Sequence, residues 1–193
     1  MKALQAMNQK STRDMRVLAI DPASHSMALA LLEKRDGVVT LLYAGKLKFP
    51  PPNEMTAKML AINASLRVFF SLVGQVDYVV IEQSIYIQNP QTSRILSYLI
   101  GHIWGESLNL GAKVVDVPPL TWKAFIGYKR IMKKEKEQLI ETMGKTEANK
   151  FINKEKKDRT KRIVARMIPK TERINDDDII DAIGIGIWAV DNI

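Results

Sequence analysis

Four acidic residues at three widely separated places in the chain have the types and positions that metal-dependent chemistry needs. Asp21 and Glu82 each close an apolar run of four residues, and Asp178 and Asp181 open a final apolar segment. Buried strands rarely end in a charge unless that charge is paired or holds a metal. Carboxylates at two strand ends and one helix start can converge on one point, where like charges need a cation to be stable.

Hard oxygen ligands of this kind suit Mg²⁺, for which Mn²⁺ can substitute. Asp178 and Asp181 are spaced i, i+3, which places them roughly 5–6 Å apart on one helical face. Four carboxylates can hold two metal ions roughly 3.5–4 Å apart, one activating a water and the other stabilising the leaving 3′ oxygen of a phosphodiester. We expect Asp21 to be the bridging ligand, because its strand should be central in the sheet.

Simpler structural interpretations of the same residues stay open. Asp178 can be only the N-cap of the last helix, because Asp is favoured at that position. Asp176 and Asp177 compete with Asp178, since Asp177 forms an equally good i, i+4 pair with Asp181. Glu82 can be paired with a lysine.

The charge balance points to a polyanionic partner. The chain of 193 residues carries a net charge of +8, and 13 Lys and Arg against six Asp and Glu lie between Lys129 and Arg162. Such a balance indicates nucleic acid first, and an anionic membrane surface or an acidic protein second. We expect Lys133, Lys134 and Lys136 to bind DNA phosphates. A solvated insertion that only keeps the chain soluble is the alternative.

Composition excludes several other kinds of site. The absence of cysteine excludes disulfides and thiolate metal sites, and two histidines argue against zinc. No run of 18 apolar residues is free of charge, so we expect no transmembrane helix and no membrane partner. The polar start does not resemble a secretory signal. These features together predict a cytoplasmic protein.

The apolar patterning predicts a single α/β domain with a mixed five-stranded sheet flanked by helices. We expect a flexible N-terminus over residues 1–14, one domain over 15–193 and a basic insertion around 129–162. The predicted strands cover residues 15–21, 25–34, 38–46, 76–82 and 112–117, with an Asp-Gly hairpin turn at 36–37. The predicted helices cover residues 53–73, 92–110, 121–126, 133–143 and 158–168, with a last helix from 177 or 178. The order βββαβαβα is that of the ribonuclease H-like fold.

Five short motifs, in order, resemble those of RuvC-type Holliday junction resolvases, which have the ribonuclease H-like fold. They are Ala19-Ile20-Asp21-Pro22-Ala23, Ile81-Glu82-Gln83, Val117-Pro118, Trp122-Lys123 and Asp178-Ile179-Ile180-Asp181-Ala182. The resemblance runs from about residue 17 to the C-terminus. No single motif is decisive, whereas the ordered set with these spacings is fairly specific.

The resemblance implies an Mg²⁺-dependent endonuclease that resolves four-way or branched DNA junctions by symmetric cleavage. It implies that Asp21, Glu82, Asp178 and Asp181 are catalytic metal ligands and that Lys123 binds a scissile or neighbouring phosphate. A surface lysine on an amphipathic helix is the alternative for Lys123. It also implies a homodimer. The helix over residues 92–110, with two small residues at Gly101 and Gly105, is a candidate for the dimer interface, and an ordinary internal helix is the alternative.

The chain also departs from the family pattern. Ala23 stands where the family commonly has glycine, and Ile85 stands where the family has an aromatic residue thought to act near the junction centre. We expect Tyr86, the next residue, to stack on DNA in its place. The long basic segment favours a bacteriophage or divergent member.

Three other functions share some of these features. A ribonuclease H-like nuclease on another branched or hybrid substrate is the nearest alternative. Actin-like ATPases share the fold but need glycine-rich phosphate loops, which this sequence does not show. A non-catalytic DNA-binding scaffold has no use for four carboxylates.

Overall fold

Two tight turns fold the first three strands into an antiparallel meander. They are β1 (Met15–Ala23), β2 (Ser26–Arg35) and β3 (Val38–Lys48). The computed structural model describes residues 14–49, 55–83 and 89–193. Asp36 and Gly37 have φ values of 50° and 79°, as the predicted two-residue hairpin turn requires.

Two further strands complete the predicted mixed sheet. These are β4 (Tyr78–Glu82) and β5 (Lys113–Val117). β4 lies parallel to β1, and β5 lies parallel to β4, so the strand order is β3-β2-β1-β4-β5. β1 is therefore the central strand, as expected.

Helices cover both faces of the sheet. In chain order they are α1 (Met55–Val73), α2 (Pro90–Asn109), α3 (Pro119–Phe125), α4 (Lys133–Met143), α5 (Lys145–Met167) and α6 (Asp177–Asn192), with a 3₁₀ helix (Pro169–Arg173) before the last. One core lies between the sheet and α1 with α2, and the other lies between the sheet and α6 with α3 and α5. The sheet is therefore buried on both sides, which explains its nearly continuous apolar strands.

A β-bulge interrupts the pairing of β2 with β3. Leu32 pairs with Leu41, whereas Leu31 pairs with Tyr43, so Leu42 is an extra residue without a partner in β2. The carbonyl oxygen of Leu41 accepts a hydrogen bond from Lys170. Beyond the bulge every residue of β3 is shifted by one position, which reverses the face to which each side chain points.

Three predicted boundaries are corrected by the structure. β1 continues to residue 23, so Asp21 lies inside the strand rather than at its end. The second helix of the basic segment begins at Lys145 and not at residue 158. The last helix begins at Asp177, and its N-cap is Asp176 rather than Asp178.

Among the described helices, α1 is long and apolar enough by length and composition to cross a membrane. It carries Lys58 and Arg67, and its residues Ile62, Leu66 and Phe70 are buried in the core. In this fold α1 therefore serves as a core helix.

Candidate active site

The candidate site is built on one row of residues that crosses the sheet. Ile20 of β1 pairs with Ile81 of β4, so Asp21 and Glu82 follow them side by side. On its other side Asp21 pairs with Ala28 of β2. Because side chains alternate between faces, both carboxylates point to the face that α6 covers.

The start of α6 brings two further carboxylates to this row. The side chain of Asp176 accepts hydrogen bonds from the backbone N–H groups of Asp178 (3.1 Å) and Ile179 (3.3 Å). This cap satisfies two of the unpaired donors at the helix start and fixes where the helix begins. Asp178 and Asp181 then lie in its first turns, facing the sheet.

The charges of the four expected carboxylates act on one another. Burial raises the pKa of Asp21 to about 9, and the nearby Glu82, Asp181 and Asp178 add to the rise. Burial also raises the pKa of Asp181 to about 6; Lys123 opposes this rise, while Glu82 and Asp178 add to it. Asp21 and Asp181 are thus buried carboxylates with further negative charges nearby, an arrangement that a bound cation stabilises.

Asp177, the open alternative to Asp178, lies in a different environment. It forms an ion pair with Lys157 of α5, with 2.8 Å between the charged atoms, and both side chains are well exposed. Asp178 is exposed to a similar degree, but it contacts Lys46 and adds to the raised pKa of Asp21, so it stays the expected fourth member of the cluster.

Three side chains from two elements, α3 and β3, hold the cluster in place. The indole N–H of Trp122 donates a hydrogen bond of 2.9 Å to Glu82. The Lys123 ammonium lies 3.0 Å from Asp181 and 4.8 Å from the centre of the Trp122 ring. Lys46 at the far end of β3 contacts Asp178 at 2.5 Å. Glu82 is therefore paired with a tryptophan rather than with the lysine that was considered.

Trp122 can reach Glu82 because a glycine faces it. Trp122 is fully buried, and a Cβ atom at Gly184 of α6 would lie 2.5 Å from its ring. A larger residue would push the ring away from α6. The packing of α3 against α6 thus sets the direction of the indole N–H toward Glu82.

The donor atoms fit a hard divalent cation, although the carboxylates are not all turned toward one point. Within the described ranges, no three acidic or histidine side chains already enclose a metal position. The lysine contacts explain this, since Lys46 and Lys123 occupy oxygens of Asp178 and Asp181. The chemistry of the oxygen ligands therefore fits Mg²⁺ or Mn²⁺, provided that these ion pairs rearrange.

The other predicted DNA-binding residues lie at different places. Lys123 joins the cluster itself instead of facing outward. Lys133, Lys134 and Lys136 lie exposed on α4 and do not contact the cluster. Ile85 and Tyr86 lie outside the described residues.

The sequence pattern did not indicate Lys46 as a site residue. It indicated Asp176 only as a competitor of Asp178, and Trp122 only as part of the Trp122-Lys123 motif. A lysine near the end of a strand carries no signal by itself, because its direction depends on the bulge at Leu42. The Trp122-Lys123 motif was a usable signal, since the two neighbours contact the two carboxylates Glu82 and Asp181.

Comparison with known proteins finds two similar curated chains. No family model matches the chain. The chain is 26% identical over 182 residues to a crossover junction endodeoxyribonuclease RuvC of Campylobacter hominis, covering 93% of this chain and 98% of that protein. It is also 26% identical over 179 residues to a crossover junction endodeoxyribonuclease RuvC of Campylobacter curvus, with the same coverage. The resemblance to RuvC-type resolvases is therefore confirmed, and the bacteriophage origin stays a prediction.

Solved structures support the same fold. A structure of Thermus thermophilus RuvC in complex with a Holliday junction substrate has a TM-score of 0.63 and 16% identity, covering 92% of this chain and 97% of that chain. A second Thermus thermophilus RuvC structure has a TM-score of 0.62. The predicted ribonuclease H-like α/β fold is confirmed.

Proposed function

We propose that this protein is a metal-dependent endonuclease that resolves four-way DNA junctions. The observation that carries the proposal is the cluster of Asp21, Glu82, Asp178 and Asp181 on one face of the central strands. It occurs in a chain that matches RuvC proteins over 93% of its length. A cluster that serves only the fold would cost stability, because burial and repulsion disfavour its charged form.

The four carboxylates would hold Mg²⁺, with two ions as the expected number and Mn²⁺ as a substitute. When bound, the ions would activate a water and stabilise the leaving oxygen of the phosphodiester. The chain's own groups orient these ligands. Trp122 fixes one oxygen of Glu82, and Lys123 fixes one oxygen of Asp181. Lys123 is also close enough to the cluster to bind a phosphate there once its ion pair opens.

A basic arm beside the site supports a DNA substrate. We define the basic arm as α4 and α5, residues 133–167. Arg159 of α5 joins the two helices through Glu135 of α4, at 2.9 Å. Lys157 of α5 pairs with Asp177 at the start of α6, so the arm is anchored next to the carboxylates. Its lysines would attract the phosphates that the acidic cluster repels.

One face of α2 supports a homodimer, which symmetric cleavage of two strands requires. Gly101 and Gly105 have nothing within 4 Å of an added Cβ, and Tyr98, Trp104 and Leu108 are exposed beside them. The buried side of α2 is the opposite one. The two glycines thus allow close approach of a second copy rather than internal packing.

A groove lies along this face of α2. A cavity of about 400 Å³ is lined by Met59 of α1 and by Tyr98, Gly101 and His102 of α2. A second copy related by a two-fold axis could insert a large side chain such as Trp104 into it. This is consistent with an interface formed by the same surface on both subunits.

The proposal is tested by cleavage of a labelled four-way junction and of a matched duplex, in Mg²⁺ and then in EDTA. We expect cuts in the junction only, and only with Mg²⁺. Asp178→Asn should abolish cleavage, whereas its neighbour Asp177→Asn is the matched control and should retain it. Cleavage of forks or RNA–DNA hybrids in preference to junctions would favour a ribonuclease H-like nuclease on another substrate.

Tyr86 stays a predicted stacking residue. Base stacking on an aromatic ring is worth about 1–3 kcal/mol. Tyr86→Ala should therefore reduce junction cleavage far more than duplex binding, with an unchanged melting temperature. Equal losses on every substrate with a lower melting temperature would make Tyr86 a buried core ring.

A further inference from the structure

Lys46 occupies a position that the sheet register builds into the candidate site. Lys46 of β3 pairs with Ala28 of β2, and Ala28 pairs with Asp21 of β1. Lys46 therefore lies in the same row as Asp21, two strands and about 10 Å away. Ala28, which lies between them, is fully buried. Because its side chain is short, the longer side chains of Lys46 and Asp21 can extend over it.

The bulge at Leu42 is what directs Lys46 toward this site. Before the bulge the pairing joins Arg35 to Val38, and continuing that register would place Lys46 opposite Met27. Met27 belongs to the core on the other face of the sheet. Bulges that re-aim one side chain are common beside active sites. The bulge thus places the Lys46 side chain on the face of the sheet that carries the carboxylates, instead of on the opposite face.

Once there, the Lys46 ammonium contacts two carboxylates of different expected roles. It lies 2.5 Å from Asp178, a proposed metal ligand, and 3.0 Å from both oxygens of Asp176, the N-cap of α6. The Lys46 side chain is only 17% exposed, so this cation is held in the site and not in solvent. Asp176 also accepts hydrogen bonds from the backbone N–H groups of Asp178 and Ile179.

We propose that Lys46 is a positioning residue that holds Asp178 and Asp176 together, and that it releases Asp178 and keeps only its contact with Asp176 when a divalent cation binds Asp178. The inference rests on the proposed function, since it takes Asp178 as a metal ligand. An ammonium group and a metal ion compete for the same oxygen, because both are cations that need its negative charge. Because Lys46 also contacts Asp176, its ammonium group keeps a carboxylate partner when it releases Asp178. The free energy needed for the release is therefore small.

This role predicts opposite effects for the two partners of the exchange. Removing the Lys46 charge removes a competitor, so the protein should bind a divalent cation more tightly. Removing the Asp176 charge leaves Lys46 with Asp178 as its remaining carboxylate contact, so the cation should bind more weakly. Asn still caps a helix well, so Asp176→Asn keeps the start of α6. A purely structural Lys46 would give the opposite sign, because its loss would disorder the site.

The experiment measures Mn²⁺ binding to the full chain without DNA, from the loss of the free Mn²⁺ electron paramagnetic resonance signal. Lys46→Met, which keeps most of the length but not the charge, should bind Mn²⁺ about tenfold more tightly than the wild type. Lys157→Met is the matched control: it removes a nearby ammonium that pairs with Asp177, and its effect should be smaller. Thermal unfolding of each variant in EDTA checks that it is folded.

A double-mutant comparison isolates the exchange itself. Asp176→Asn should weaken Mn²⁺ binding in the wild type and have little effect in the Lys46→Met background. An equal loss in both backgrounds would mean that Asp176 acts only through its own charge, and would overturn the exchange. The exchange would be supported if Lys46→Met binds Mn²⁺ more tightly and if Asp176→Asn no longer weakens Mn²⁺ binding in that background.

The outcomes also separate this inference from the proposed function. If the wild type binds Mn²⁺ and cuts junctions but Lys46→Met binds no more tightly, the Lys46 proposal alone is wrong. If the wild type neither binds Mn²⁺ nor cuts junctions, the proposed function is wrong and the Lys46 proposal is wrong with it.

Discussion

The Asp21 carboxyl group contributes to how the stability of the metal-free protein depends on pH. Its pKa is raised from 3.8 to about 9, mainly by burial. Between about pH 4 and pH 9, Asp21 is therefore protonated in the folded state and deprotonated in the unfolded state. The free energy of unfolding falls as the pH rises through this window, by at most about 1.4 kcal/mol per pH unit for one proton.

This dependence gives a prediction about stability rather than activity. Asp21→Asn should raise the melting temperature in EDTA at pH 8, because the amide stays neutral where the carboxylate would have to be charged. At pH 4 the variant and the wild type should differ little. Mg²⁺ should stabilise the wild type at pH 8 and the variant much less. A lower melting temperature for Asp21→Asn at pH 8 would make Asp21 a structural residue.

Trp122 supplies a second prediction at the scale of single residues. Trp122→Phe removes the indole N–H that holds Glu82 and keeps an apolar ring in the core, although it loses part of the outer indole ring that packs on Gly184. Loss of a group that orients a metal ligand typically costs 10–100-fold in activity or metal affinity. We expect junction cleavage and Mn²⁺ affinity to fall together by about that factor. Phe125→Leu, an exposed position in α3, is the control and should leave both unchanged.

At the scale of elements, the sequence predicted those whose apolar pattern is strong. The strands and the core helices α1, α2 and α6 were predicted within a few residues, since burial on one or both faces leaves a clear pattern. The first half of α5 was missed because residues 145–157 are mostly polar and exposed, with Ala148 and Ile152 as their buried positions. Its start at Gly144, with a φ of 80°, also carried no capping side chain.

The residues of the candidate site differ in the same way in how strongly the sequence marks them. Asp21, Glu82, Asp178 and Asp181 follow apolar elements, so a charge there stands out in the sequence. Lys46 reaches the site through a one-residue shift at a bulge, which no periodicity reveals. The register of an edge strand is decided by pairing in three dimensions, and a shift of one residue changes the face.

The basic arm yields a prediction about salt. Replacing Lys133, Lys134 and Lys136 by Ala should lower the dependence of junction binding on salt, because each phosphate contact contributes a slope of about −0.9 in log K against log salt. The loss should be similar for duplex DNA. Lys113→Ala is the control, because Lys113 is the first residue of β5 and lies outside the basic arm. This variant should keep the slope of the wild type. An unchanged slope in the triple variant would indicate that the basic arm is a solvated insertion that does not bind DNA.

At the scale of the whole molecule, the open face of α2 predicts the oligomeric state. Gly101→Arg should leave the subunit folded, since nothing lies within 4 Å of an added Cβ, but it should block the approach of a second copy. Sedimentation should then show a dimer for the wild type and a monomer for the variant. Gln75→Arg, in an exposed loop before β4, adds the same charge and should stay dimeric. A dimer for Gly101→Arg would place the interface elsewhere.

Symmetric resolution of a junction is the central claim, and a supercoiled plasmid with an extruded cruciform tests it most directly. Two cuts made within the lifetime of one complex convert the plasmid to the linear form, whereas independent cuts first give the nicked circle. With Mg²⁺ the wild type should produce linear plasmid directly, and the relaxed plasmid without a cruciform should stay intact. Accumulation of nicked circles alone, equal cutting of the relaxed plasmid, or unchanged cutting by Asp21→Asn would contradict this account.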